Sequence, residues 1–535
     1  MMPKTPRNIE EALALAHKEQ WKAALDKELA DCVGGNSYAG VDEKPARYMN
    51  SVMSFRVSVK ADGSYKFRVR LCPDGSKQEK GKDFRSSFSP IVRKETVFMV
   101  MHVSAAKDWG LLHIGIGCAY KEAIPDLEKP LYMKVAKDLR AYGFSKHEFV
   151  QLLVNYWGTK DAGRKFYAYL AFILTLFGLE RSGGDPCLFI QVSGLGQRVI
   201  ALLYVDDIAV TGDWKVRIVA LLDHLRSHFS EIKCEDLTKF LGMQCIRDRG
   251  KKELRVHLSD YAKAVVIDHV PDDIPGSTTP LFATVEYRGL APGTEAPIWV
   301  PNGKARFMAD SSWPELKVAT SVLASAGATP QKVHRRGMMK ALTYIKQHQD
   351  HHFLVLGGEE PVVLFCFCDS AYSPEGDSKY QYGHVEYLSA SAGAVITLCK
   401  RSKTVSHSSA QSEVKAMSEA CKVLTADRPL LVMPEQPQAE PSVLYTDSQA
   451  GVDLISNVWE IHPRCRHFNR DINHVRECVQ LGIVSLVFVP TDDTPADIMT
   501  KVLGPTKHIK FTEMLLRGVG VAEAAAMAVA GWKML

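Results

Sequence analysis

The last third of the chain switches repeatedly between alternating and helical hydrophobic patterns, and an acid stands at four of the switches. A strand pattern, VVLFCF, ends at Asp369. A hairpin system is expected through Val405, and a helix then opens at Ser408, where Ser408 and Gln411 have capping-box spacing. Glu413 follows in its first turns. A second strand pattern, SVLYT, ends at Asp447 and leads into a helix running to Leu481, with Gly482 as its stop. After the strand IVSLVFV, Thr494-Pro495 supplies an N-cap and a first-turn proline, opening a final helix at Asp497. Strands alternating with helices in this way require a mixed α/β layer.

Strand ends at one edge of a sheet lie close together, and a helix beside that edge can add a carboxylate. Four converging acids repel one another unless a divalent cation neutralises them. Two Mg²⁺ or Mn²⁺ ions about 4 Å apart would do so, activating water and stabilising the leaving oxygen in phosphodiester cleavage. Acids also favour turns and helix caps for local reasons, so no single residue carries this reading. The set of Asp369, Glu413, Asp447 and Asp497 does.

The first half contains a second acidic feature. Between residues 198 and 213 the pattern is strand, two acids, strand: RVIALLYV, Asp206-Asp207, IAVTGD. Adjacent acids at the tip of such a unit are rigidly held and exposed, as metal-dependent nucleotidyl transfer requires. An ordinary acidic hairpin turn is the bland alternative. Around it, residues 8–29 have helical periodicity, and 53–71 alternate about Asp62-Gly63, a strong hairpin signal. Helical patterns cover 92–107, 163–177 and 313–348, and the Pro, Gly and Thr of 276–303 mark an irregular connection.

Composition sets bounds rather than function. With 535 residues the chain is too long for one ordinary domain, and its 46% apolar and 24% charged residues are those of a globular protein. A net charge of +5 demands no polyanionic partner, although basic clusters at 66–70, 77–82, 400–403 and 464–470 could track phosphates. The 12 cysteines form no CxxC pair and no zinc spacing, which leads us to expect reduced thiols in an intracellular setting, cytoplasmic or nuclear. Residues 1–8 lack the apolar run of a signal peptide. No segment has the length of a membrane span; the Ala-rich tail from Gly518 comes closest, and a helix of unassigned purpose is expected there.

The runs TVSHSSAQSEVKAMSEA, LYTDSQAGVDLI, RCRHFNRDINHVRE and PADIMTKVL resemble the ribonuclease H segment of copia-type LTR retrotransposon polyproteins. By that resemblance Asp369, Glu413, Asp447 and Asp497 occupy the four metal-binding carboxylate positions, with Gln411 where the family usually has another, non-catalytic acid. No helper histidine stands between Ile483 and Asp497, so slow turnover is expected. The runs DFRSSFSPIVRKETV, LYMKV, WGTKDAGRKFY, DPCLFI, Tyr204-Val205-Asp206-Asp207, LTKFLGM and LSDYAKAV resemble the same family's reverse transcriptase. The fold implied is an α+β multidomain chain: a fingers–palm–thumb polymerase fold, then an α/β ribonuclease H-like domain with a mixed sheet. The expected divisions are a helical lead-in (1–40), the polymerase-like part (41–275), a connection (276–358), the ribonuclease H-like part (359–517) and the tail (518–535).

The resemblance further implies Asp206 and Asp207 as catalytic metal ligands, with two Mg²⁺ or Mn²⁺ ions per active site. Arg68, Arg70 and Lys160 match basic positions able to grip a triphosphate. An RNA template, an RNA–DNA hybrid and dNTPs are the implied partners, together with other products of the polyprotein; no membrane is implied. The protease and integrase signatures of full polyproteins are absent, so a C-terminal portion is expected. Two departures bear on activity. The first catalytic aspartate of the family falls at Gly115, in HIGIGCAY, and one carboxylate lost from three should cost several kcal/mol of transition-state stabilisation. Asp161 replaces a glutamine beside the incoming nucleotide, where its charge should repel a triphosphate. The expected function is therefore an RNA-directed DNA polymerase with an impaired polymerase site and a better preserved ribonuclease H. The alternative is a catalytically inactive relic or co-opted nucleic-acid binder; an unrelated enzyme with chance motifs fits the ordered matches poorly.

Overall fold

The computed structural model describes residues 3–33, 36–59, 64–123, 130–287, 290–358, 361–372, 379–432, 438–457 and 463–532. Four sheets follow one another along the chain.

The first sheet orders its strands Tyr38–Val41, Phe149–Leu152, Leu131–Lys134, Met49–Val59 and Tyr65–Pro73. The last two form the long hairpin that the 53–71 alternation predicts, paired from Ser51↔Pro73 to Val59↔Tyr65; the Asp62-Gly63 turn lies outside the described residues. The helical periodicity of 8–29 becomes two helices, Ile9–Ala14 and Lys18–Val33, because Leu15 is extended and interrupts it. The longer helix buries Trp21 edge-on against Phe55 and Phe67, with ring centroids 5.6 and 4.8 Å away. These rings sit in a core of their own, separate from the rest.

The second sheet is antiparallel throughout, in the order Ile232–Asp236, Gly110–Ile116, Asp207–Gly212, Arg198–Tyr204, Leu188–Val192 and Glu180–Arg181. Its central strands are apolar on both faces, since helices cover it. The helix Lys94–Ala106, almost wholly buried, joins it to a third sheet of Lys239–Phe240, Met243–Asp248, Glu253–His257 and Leu354–Gly357. The last of these strands arrives only after a helical connection. There the helix Trp299–Ala309 starts inside the stretch expected to be irregular, and the predicted 313–348 helix divides into Lys317–Ala324 and Lys332–His348. Gly327 and Pro330 between them account for the break.

The fourth sheet is mixed, ordered Ile396–Val405, Lys379–Tyr387, Phe365–Ala371, Ser442–Thr446 and Val484–Phe488. The first three strands are antiparallel neighbours and the last three run parallel. Phe365–Ala371 is buried at every position, because helix Ser409–Val432 lies across it. Ser408 caps that helix: its Oγ accepts from Gln411 N at 3.2 Å, while Gln411 Oε1 accepts from His407 N at 2.8 Å.

Three expectations change here. Asp369 lies inside its strand, two residues before the end. The helix expected up to Leu481 is two, Gln449–Ser456 and Asn469–Gln480, separated by a 3₁₀ turn over Pro463–Phe468 whose proline cannot continue a helix. Asp497 does not open the final helix: it sits in a 3₁₀ turn, Pro495–Met499, and the helix Pro505–Arg517 starts afresh after the extended Gly504. The tail does form a helix, Val521–Trp532, which approaches the Val484–Phe488 edge and buries Val521 and Ala524 in the main core. Among the described residues no helix is long and apolar enough to cross a membrane.

Candidate metal centres

In the first half, Tyr204 and Asp207 pair directly across the hairpin, so Val205 and Asp206 alone make the turn. A two-residue hairpin favours left-handed backbone, normally supplied by glycine or asparagine. Here Val205 adopts it, with φ +57°, and a β-branched residue in that region is strained by about 1–3 kcal/mol. The turn is held from the next strand: Ile116 N donates to Asp206 O at 2.9 Å. Burial pushes the Asp206 carboxyl above its usual range and the neighbouring Asp207 charge adds to this, partly offset by Arg70 and Arg68.

Gly115 stands directly opposite Asp207 in register. A Cβ built there would meet only Asp207 Oδ1 and His113 Cε1, both at 3.9 Å. The position therefore has room for a side chain aimed at the acid pair and provides none. His113, two residues earlier on the same strand face, fills part of the gap. Its Nε2 is 2.9 Å from Asp207 Oδ1, and this bond holds the imidazole above its ordinary pKa. The HIGIG alternation held that signal, since it places residues 113 and 115 side by side.

The basic residues divide. Arg68 and Lys160 are exposed. Arg70 is engaged by the buried Glu28 at 2.9 Å and lies over the Trp157 ring, 5.7 Å from its centroid. Lys160 N donates to Gln78 Oε1 at 2.7 Å, leaving its side chain free of that contact. Asp161 differs from expectation. It is buried, with Oδ2 3.0 Å from Lys165 Nζ one helical turn on and Oδ1 enclosed without a hydrogen-bond partner, so the carboxylate faces the protein interior rather than a nucleotide.

In the second half, Asp369, Glu413 and Asp447 converge. Each offers an oxygen, and the three oxygens lie within 4.8 Å of one another. The parallel pairing of Phe365–Ala371 with Ser442–Thr446 brings Asp369 beside Asp447, and helix Ser409–Val432 lowers Glu413 onto them. Burial, compounded by the charges of Asp369 and Asp447, pushes Glu413 up to about 9. Asp369 is raised to about 6, chiefly by burial. Glu413 Oε2 is buried with no hydrogen-bond partner. Hard oxygen donors grouped in this way are of the kind that suits Mg²⁺ or Mn²⁺.

Asp497 reaches this cluster indirectly. Its turn can lie against the sheet because residue 383, opposite Asp369 in register, is glycine. A Cβ at Gly383 would be 2.5 Å from Met499 Cβ and 2.7 Å from Leu398 O. From the turn, Lys501 Nζ contacts Asp497 and stands 3.4 Å from Asp369 Oδ2, and Lys507 Nζ lies 3.4 Å from Asp497 Oδ2. Thr500 Oγ1 donates to Asp369, and Thr491 Oγ1 to Asp447 at 2.7 Å. Sequence reasoning passed over Thr500 and Lys501, although their spacing of three and four residues from Asp497 places them near it.

An antiparallel sheet bearing a paired-acid turn, flanked by a hairpin sheet and followed by a mixed five-stranded sheet with an acid cluster, is a multidomain mixed α/β architecture with several sheets. Residues 43–283 match the family described as reverse transcriptase (RNA-dependent DNA polymerase), a family that generally uses divalent metal ions. The retrovirus-related Pol polyprotein from transposon TNT 1-94 of Nicotiana tabacum is 25% identical over 526 residues, covering 95% of this chain and 39% of the relative. The corresponding polyprotein from transposon RE2 of Arabidopsis thaliana is 25% identical over 525 residues, covering 94% and 34%. Residues 43–283 thus match a reverse transcriptase model, and the chain is similar over most of its length to Pol polyproteins of copia-type plant transposons. The chain spans little more than a third of these relatives, 39% and 34%. Among solved structures, the foamy viral protease-reverse transcriptase in complex with RNA/DNA hybrid is similar at 10% identity and a TM-score of 0.44, covering 88% of this chain and 54% of that one.

Proposed function

We propose that this chain is a retrotransposon-type Pol segment whose second centre cleaves the RNA strand of RNA–DNA hybrids, and whose first centre is an RNA-directed DNA polymerase site impaired by Gly115. The carrying observation is the convergence of Asp369, Glu413 and Asp447 oxygens within 4.8 Å, with one Glu413 oxygen left unpartnered. Two bound divalent ions would activate water and stabilise the leaving oxygen. Asp369, Glu413 and Asp447 would hold one and Asp369 with Asp497 the other. Thr491 and Thr500 fix the carboxylates of Asp447 and Asp369 in place. The hybrid would be distinguished by its 2′-hydroxyls and A-like shape rather than by base sequence.

In the first centre Asp206 and Asp207 would share the metal ligation, with Arg68 and Lys160 exposed to meet a dNTP while an RNA template is copied. Gly115 contributes no ligand, and His113 already engages Asp207. The domain limits that go with this reading are 41–275 for the polymerase-like part and 359–517 for the ribonuclease H-like part. Gly115 also favours a second reading, a nucleic-acid-binding relic without turnover. Incubation with a labelled RNA–DNA hybrid and Mg²⁺ separates the two. The first reading expects RNA-strand cleavage, abolished by Asp447→Asn; uncleaved hybrid with the unaltered chain would leave only the second.

A further inference from the structure

The second centre is not evenly charged. Asp369, Glu413 and Asp447 bring three carboxylate oxygens within 4.8 Å of one another, and the nearest ammonium, Lys501 Nζ, stands 3.5 Å from Asp369 Oδ1. On the side that faces Asp497, the Lys501 ammonium contacts Asp497 and lies 3.4 Å from Asp369 Oδ2, with Thr500 Oγ1 donating to the same oxygen. Asp369 and Asp497 are both almost fully buried, whereas the Lys501 side chain is 38% exposed. Lys501 therefore has a route out to solvent that the two acids lack. An ammonium held between two carboxylates weakens the binding of a divalent ion to the same pair, since the two cations repel.

We infer that Lys501 is a built-in counter-ion that occupies one of the two cation positions at rest, so that the centre first binds a single ion at Asp369, Glu413 and Asp447. The second ion enters between Asp369 and Asp497 only when Lys501 swings outward, where a phosphate of the hybrid backbone can accept its charge. The nucleic acid would thus complete its own site. Lys507, 3.4 Å from Asp497 Oδ2 and 3.0 Å from Asp492 Oδ1, stays as a partial counter-charge for Asp497. This inference rests on the reading of the centre as a divalent-metal site.

The test counts bound Mn²⁺ by electron paramagnetic resonance, using the full chain with Asp206→Asn and Asp207→Asn to silence the first centre. With Lys501 intact and no nucleic acid, one ion should bind, the second being weaker. Lys501→Met should tighten the second by about ten- to a hundredfold, the range for groups that adjust metal ligands from outside, whereas Lys501→Arg should behave like the parent. Adding an uncleavable hybrid with a 2′-O-methyl RNA strand should bring the second ion into the parent. Equal binding curves for Lys501→Met and the parent would overturn the inference and leave the metal-site reading intact. So would two equally tight ions in the parent without hybrid, a measurement that does not depend on any Lys501 variant folding. Absence of Mn²⁺ binding in the parent would instead remove the reading of the centre itself, and this inference with it.

Discussion

Gly115→Asp is the substitution for which structure and chemistry give opposite signs in the absence and presence of metal. Sterically it is free: the added Cβ meets nothing nearer than 3.9 Å. The new carboxylate would stand beside Asp207, about 4 Å from a like charge, which costs about 1 kcal/mol in water and about 4 kcal/mol at an effective dielectric of 20. The site is half-open, so a loss of about 1–3 kcal/mol of metal-free stability is expected, weighted toward the lower end by solvent screening. His113 cannot cancel both charges, since one of its nitrogens already meets Asp207. With Mg²⁺ or Mn²⁺ present the sign reverses: the third carboxylate would help hold the ions, which would stabilise the developing negative charge of the transition state. Restoring one such group should raise primer extension on an RNA template by about 10²–10³-fold. Paired thermal melts with and without metal give the stability arm, and gel-resolved extension gives the rate. Robust synthesis by the unaltered chain would refute the diagnosis. So would a Gly115→Asp chain that is folded, binds metal and extends no faster than its parent.

Two other outcomes test the second centre. Glu413 is raised from 4.5 to about 9 and Asp369 from 3.8 to about 6, so the folded chain holds these protons more tightly than the unfolded one. Their contribution is full below the unfolded values and lost as pH rises through the folded ones. The metal-free Tm should therefore fall between about pH 5 and pH 9, and saturating Mg²⁺ should flatten the slope because it binds the deprotonated form. The buried Glu386 and Asp427 are raised too and contribute in the same direction, so the diagnostic quantity is the part of the slope that Glu413→Gln removes; an unchanged slope in that variant contradicts the assignment. Gly383→Ala would press on Met499 and Leu398. It should cost about 1–3 kcal/mol as an overpacked site and should lower hybrid cleavage by lifting the Asp497 turn, leaving polymerase-half metal binding unchanged. Full cleavage by this variant would show that the turn need not touch the sheet.

What the sequence disclosed and what it hid divide along a physical line. Period-two alternation located the 49–73 hairpin and the strands around Asp206-Asp207, because local pleat and burial determine it. The convergence of Asp369, Glu413 and Asp447 was legible from their positions at changes of period, since parallel neighbours bring such positions to one edge. Helix interruptions at Leu15 and Gly504 were hidden, because they depend on tertiary packing that periodicity does not record, whereas the 325–331 break was marked in the sequence by Gly327 and Pro330. The pairing of Asp161 with Lys165 and of Arg70 with Glu28 was hidden as well, because an ion pair is settled by which side chains share a surface. Lys501 belongs to both kinds: its spacing from Asp497 was in plain view, while its approach to Asp369 comes from tertiary packing, in which the turn lies against the glycine at 383.

The strained turn at Val205 bears on how the first centre should be understood. A left-handed β-branched residue costs about 1–3 kcal/mol and persists only where its surroundings hold it. Here the constraint comes from the direct Tyr204–Asp207 pairing and from the bond of Ile116 N to Asp206 O, neither of which involves a side chain at position 115. On the proposed reading, Gly115 would remove a ligand and leave the scaffold that aims the other two. Had the turn relaxed, a new aspartate at 115 would face acids in the wrong place, and no single substitution could restore the site. Because it has not, the proposed centre would differ from a complete one by one side chain, and the barrier to restoring it would be electrostatic rather than conformational.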